Sequence, residues 1–145
     1  MAASDGVAEG AGVRWSKPVL DRGFTIVPNL LLSHQEELGL PGLQCLLLIH
    51  LLTYWWESGK NPYPSKAVLA RRMGVSERQI QRYISDLIKN GFLRRKREDL
   101  LSKSGRFILS FDLSGLVEKL RSLDKSIPTR AETPTARKAR TAALP

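Results

Sequence analysis

Residues 14–124 are predicted to fold as a mainly α-helical domain with one small β-hairpin, and three observations predict it. Two apolar-periodic stretches flank the short step Gly74-Val75-Ser76, which makes two helices cross sharply. Two strand-like runs follow, FLRRKR (92–97) and RFILSFDL (106–113), joined by a polar connection holding Ser102, Lys103, Ser104 and Gly105. Ahead of both lies LPGLQCLLLIHLLTYWW (40–56), apolar enough to serve as the centre of a small core.

The length of 145 residues suits one domain, and an apolar share of 42% suffices for its core. The formal net charge is +9, with an isoelectric point near 10.1. That charge is regional. Residues 66–106 hold twelve Lys/Arg against four Asp/Glu, and the stretch from Lys125 onward holds five against one. Such a surplus predicts a polyanionic partner, nucleic acid before an anionic membrane, against the plainer alternative of a solvated basic face. The single cysteine, Cys45, excludes an internal disulfide and fits a buried apolar role in a reducing compartment. MAASDGVAEGAGV has neither the basic start nor the apolar centre of a signal peptide. The 17-residue run 40–56 is interrupted by Gln44, His50 and Thr53, short of the roughly 20 apolar residues that a membrane span needs. A cytoplasmic location, nucleoid-associated when bound, with no membrane partner, is the expectation.

In chain order, residues 1–13 are small, polar and expected to be disordered. RGFTIVPNLLL (22–32) starts extended, with Phe24, Ile26 and Pro28 suited to a short edge strand or an arm laid on the core. Ser33 and Glu36 have capping-box spacing for a short helix ended by Gly39. A long helix is predicted over 41–57, apolar almost all round. It must be covered either by the N-terminal arm and later helices or by a second subunit, so a homodimer through this helix and arm is expected. Ser65 caps a helix through Met73 that offers Ala67, Leu69, Ala70 and Met73 for burial. Ser76 and Gln79 form a capping box for the next helix, 76–90, which Gly91 stops. Ser114 opens a last helix with Leu116, Val117, Leu120 and Leu123 on one stripe, and 125–145 reads as a basic disordered tail.

The 76–90 helix carries the functional expectation. At 100° per residue, Ile80, Ile84, Leu87 and Ile88 share the inner side. Arg78, Arg82, Ser85 and Lys89 lie opposite, flanked by Gln79 and Gln81. Arginine can pair with guanine edges and glutamine with adenine edges, while serine adapts to either, and a helix fits the major groove of B-form DNA. Arg78, Gln79, Gln81, Arg82 and Ser85 are therefore the candidate base readers. Four consecutive cations, Arg94, Arg95, Lys96 and Arg97, repel one another in a strand but suit phosphates. With Ser65, Lys66, Arg71, Arg72, Ser76, Lys89, Lys103 and Arg106 they make up the candidate backbone contacts. A helix-turn-helix followed by a basic hairpin is a winged helix-turn-helix.

PYPSKAVLARRMGVSERQIQRYISDLIKNGFLRRKR resembles the bacterial winged helix-turn-helix pattern, with its capped helix, LARRMGVS turn, recognition helix and G-F-L-x-R exit. GFTIVPNLLLSHQEELGL and LLTYWW resemble the N-terminal part of winged-helix proteins of plasmid and phage replication initiation, including the amino-terminal domain of DnaD-like primosome proteins. The resemblance implies binding to double-stranded DNA. A transcriptional regulator is the leading expectation. The alternatives are a replication or mobile-element accessory protein that recruits partners, or a winged-helix subunit of a protein or ribonucleoprotein assembly. Catalysis finds no support: His34 and His50 lack ligand-spaced companions, the acids Glu77, Asp86, Glu98, Asp99 and Asp112 form no metal-binding pair, and no Gly-rich phosphate loop is present. No cofactor is expected. Asp86 is expected beside an Arg or Lys, and Asp112 at the start of the last helix.

Overall fold

The computed structural model describes residues 10–55, 60–99 and 107–128. Helix α1 (10–15) and the five-residue α2 (Lys17–Asp21) precede an irregular arm, 22–28. Then come α3 (Asn29–Ser33), α4 (Gly42–Leu52), α5 (Lys66–Met73), α6 (Glu77–Lys89), strands β1 (Arg94–Asp99) and β2 (Phe107–Asp112), and α7 (Ser114–Ser126). Helices α4, α5 and α6 pack on one another, and the core they enclose includes Leu47, Leu48, Leu51, Leu69, Ile80, Ile84 and Leu87. The mainly α-helical architecture with one antiparallel hairpin is the predicted one.

Several local expectations are corrected. Ser33 does not open a helix but ends one, its hydroxyl bonded back to the carbonyl of Leu30. Pro28, extended at φ −60° and ψ 132°, already sets the entry, and burying Leu31 outweighs the cap signal. The arm is no strand: Phe24 and Ile26 face solvent, and Val27 packs on the core. Helix α4 ends at Leu52 rather than near residue 57, because Thr53 Oγ1 donates to the carbonyl of His50 at 2.6 Å and the following amides bond three residues back. Residues 56–59 lie outside the described residues. Of the four α5 residues expected to be available for burial, Leu69 and Ala70 are buried and Met73 packs half-buried on the core, but Ala67 is exposed. Among the described residues Asp86 pairs with no cation; it accepts from Gln44 Nε2 at 3.1 Å, a polar link between α4 and α6. Residues 10–13 are helical, and α7 extends through Lys125 and Ser126 into the segment expected as tail. The remaining 1–9 and 129–145 lie outside the described residues.

The wing starts two residues later than expected. Phe92 and Leu93 are buried, with both amides bonded to the Leu87 carbonyl, so the strand begins only at Arg94. Its register pairs Arg94 with Asp112, Arg95 with Phe111, Lys96 with Ser110 and Arg97 with Leu109. On its other edge β2 is pinned by the preceding loop, where Phe111 N–H donates to the Pro62 carbonyl at 2.8 Å. Helix α7 then seals the base of the hairpin, with Leu116 N–H bonded to the Phe92 carbonyl at 3.1 Å.

Candidate nucleic-acid interface

Helix α6 is fixed at its amino end and from beneath. Gly74 sits at φ 67°, the left-handed turn that lets α5 give way to α6. Ser76 accepts from the Gln79 amide while the Gln79 side chain accepts from the Ser76 amide, the capping box expected from the sequence. Beneath, Ile80, Ile84 and Leu87 are fully buried, so the rotation of α6 about its axis is fixed.

That rotation brings Arg78, Arg82, Ser85 and Lys89 to the solvent face, all exposed. Among the described residues neither Arg78 nor Arg82 pairs with a carboxylate. Gln79 is half-buried and its Oε1 serves the cap, which leaves its Nε2 to offer outward. Gln81 Nε2 donates to Ser85 Oγ at 3.0 Å, and that hydroxyl donates to the Gln81 carbonyl. The polar half of the outer stripe is thus satisfied internally, while its arginines are not.

The backbone candidates divide further. Ser65 caps α5 by accepting from the Val68 amide, and Lys66 and Arg71 are exposed on the same helix. Arg72 instead lies over the Tyr54 ring, 4.9 Å from its centroid. In the wing, Arg94, Arg95, Lys96 and Arg97 are all exposed, and alternation sends Arg95 and Arg97 to one face, Arg94 and Lys96 to the other. Lys96 pairs with Asp112 at 3.3 Å. Lys103 and Arg106 lie outside the described residues. Tyr63, not among the candidates from the sequence, is 62% exposed between two prolines beside the wing.

Asp112 is only 9% exposed, and its Oδ1 accepts from the Ser114 amide at 2.9 Å. That backbone hydrogen bond holds its carboxyl below the usual range, helped by the Ser114 side chain and Lys96 and opposed by burial. A folded-state pKa below the unfolded one gives stability that is complete above the ordinary aspartate pKa and fades as pH falls toward the depressed value. Asp112→Asn is therefore expected to flatten the acid limb of a melting-temperature profile. An unchanged limb would remove Asp112 from the acid response.

Among the described residues no group of three or more His, Cys, Asp or Glu could hold a metal ion, and no helix is long and apolar enough to cross a membrane. Cys45 is buried, which pushes its thiol pKa up; burial, with Arg72 nearby, lowers that of His50.

A three-helix core, a left-handed turn into an exposed basic helix and a two-stranded hairpin define a winged helix-turn-helix protein. Residues 38–93 match the family model described as a helix-turn-helix domain. The N-terminal domain of DnaD protein from Geobacillus kaustophilus HTA426 superposes with a TM-score of 0.55 at 26% identity, over 86% of this chain and 92% of that one. A MarR protein from Peptoclostridium difficile DA00132 (TM-score 0.38, 20% identity, 77% and 69% of the two chains) is more distant. So is AbfR of Staphylococcus epidermidis (0.39, 14%, 97% and 90%). No curated protein sequence matches.

Proposed function

We propose that the protein binds double-stranded DNA by laying α6 in the major groove and resting the wing on the phosphate backbone. The observation that carries this reading is the pair Arg78 and Arg82, exposed and, among the described residues, without carboxylate partners on a helix whose rotation the core fixes. Arg94 and Arg95 on the adjoining strand supply phosphate contacts, as do Lys66, Arg71 and the amino end of α6 at Ser76. The role is that of a transcriptional regulator occupying a duplex site. A replication-associated accessory role is the second reading, favoured by the likeness to the DnaD N-terminal domain. A replication gene beside the coding sequence would select the second.

Selection of bound sequences from random duplex DNA tests the groove assignment. Arg82→Ala is expected to weaken the selected sequence relative to random DNA by about 1–3 kcal/mol, and Arg95→Ala to weaken both alike. Equal losses from the two substitutions would show that α6 does not read bases.

A homodimer is also proposed. Leu43 and Leu46 of α4 are exposed, as are Trp15 of α1, Val19 of α2 and Ile26 of the arm, which offers apolar surface to a second copy. The half-sites would then be inverted and about one helical turn apart. Sedimentation at micromolar concentration should give twice the chain mass; a single-chain mass would remove the dimer.

A further inference from the structure

A cleft of about 370 Å³ opens between the loop entering α5 and the wing. That size is at the lower end for small-ligand pockets. Its walls are largely apolar: Tyr63 and Pro64 on one side, Ile108 and Leu109 on the other. Two of these walls are unusually open for their residue types, Tyr63 at 62% and Leu109 at 45% exposure. Lys66 and Arg95 also line it, and among the described residues no carboxylate does. Among the described residues neither cation has an ion-pair partner.

The cleft is fixed in place. Pro62 and Pro64 restrict the backbone on both sides of Tyr63, the Pro62 carbonyl is hydrogen-bonded to β2 through Phe111, and Ser65 immediately caps α5. A flat aromatic ring and aliphatic side chains in one cleft, with two cations among its lining residues, match the chemistry of one nucleotide. The base lies between Tyr63 and Leu109, and its phosphate meets Lys66 and Arg95. A base in intact duplex is stacked and paired, so it cannot enter such a cleft. An unpaired one can.

We infer that this cleft binds an unpaired nucleotide, so that the protein favours duplex DNA with an adjoining single-stranded segment. The inference rests on the duplex-binding reading, because Lys66 and Arg95 are shared between the cleft and the proposed backbone contacts. An acidic peptide is the competing occupant. The apolar share of the walls and the open ring favour the base.

The test uses three DNAs: a blunt duplex, the same duplex with a five-nucleotide extension, and one whose extension is abasic with equal charge. Fluorescence anisotropy should show the base-bearing extension bound about 5- to 30-fold more tightly than the abasic one. Tyr63→Ala should level that difference and leave the blunt duplex unaffected, Tyr63→Phe should retain it, and Leu109→Ser should reduce it. Tyr63 is largely exposed, so these variants should melt near the wild type, which the same samples can check. Equal binding of the two extensions by the wild type would overturn the inference while blunt-duplex binding kept the duplex reading intact. A preference that survives Tyr63→Ala would also overturn it, as would Tyr63-dependent capture of a glutamate-rich peptide with no nucleotide effect. Loss of blunt-duplex binding alone would count against the duplex reading only.

Discussion

Raising salt from about 50 to 200 mM is expected to weaken DNA binding by about three to four orders of magnitude. The expectation comes from counting cations. Lys66, Arg71, Arg78, Arg82, Lys89, Arg94 and Arg95 are exposed and, among the described residues, unpaired with acids. With about six to eight phosphates neutralised, log affinity should fall against log salt with a slope of about −5 to −7. Arg72 over Tyr54 and Lys96 beside Asp112 are among the cations already occupied, and replacing either should change the slope less than replacing Arg94 or Arg95. Anisotropy titrations at four salt concentrations measure it. A slope shallower than about −3 would mean that the wing and α6 do not meet one duplex together.

Gly115→Ala is expected to destabilise the fold by about 3 kcal/mol, at the upper end for overpacking. A β-carbon placed there would stand 2.2 Å from the Gly91 carbonyl oxygen and 3.2 Å from that of Phe92. Both are backbone atoms, and the second also holds the Leu116 amide, so no side chain can swing aside to make room. Relief requires α7 to lift away from the turn that joins α6 to the wing. Thermal unfolding should show a midpoint lower by about 10 °C or more. Gly42→Ala is the control: nothing stands within 4 Å of its added carbon, and its stability should stay within about 0.5 kcal/mol of the wild type. A Gly115→Ala protein as stable as that control would show that α7 is loosely seated.

Much of this was legible in the residues because it depended on local rules. The Ser76–Gln79 box, the Gly74 turn and the inner stripe Ile80, Ile84 and Leu87 each follow from spacing along a single helix, and each is present. The hairpin followed from two strand-like runs around a polar connection. What spacing could not reveal was competition between distant partners. Gln44 takes Asp86 from 42 residues away, so neighbouring cations lose it. Phe92 and Leu93 have strand composition, yet the core claims them first. Ser33 carried a good cap pattern, but Pro28 and the burial of Leu31 placed the helix earlier. For the candidate interface, residue type indicated which side chains face outward and not which of them are already engaged. Gln79, Arg72 and Lys96 are the cases in point.

The contact between Gln81 and Ser85 bears on how strictly a binding site would be read. Each already has a companion in the unbound protein, so an ill-suited base opposite them strands no donor; the two simply keep one another. Among the described residues Arg78 and Arg82 have no such refuge. Natural sites should therefore vary freely opposite Gln81 and Ser85 and be strict where the guanidinium groups fall.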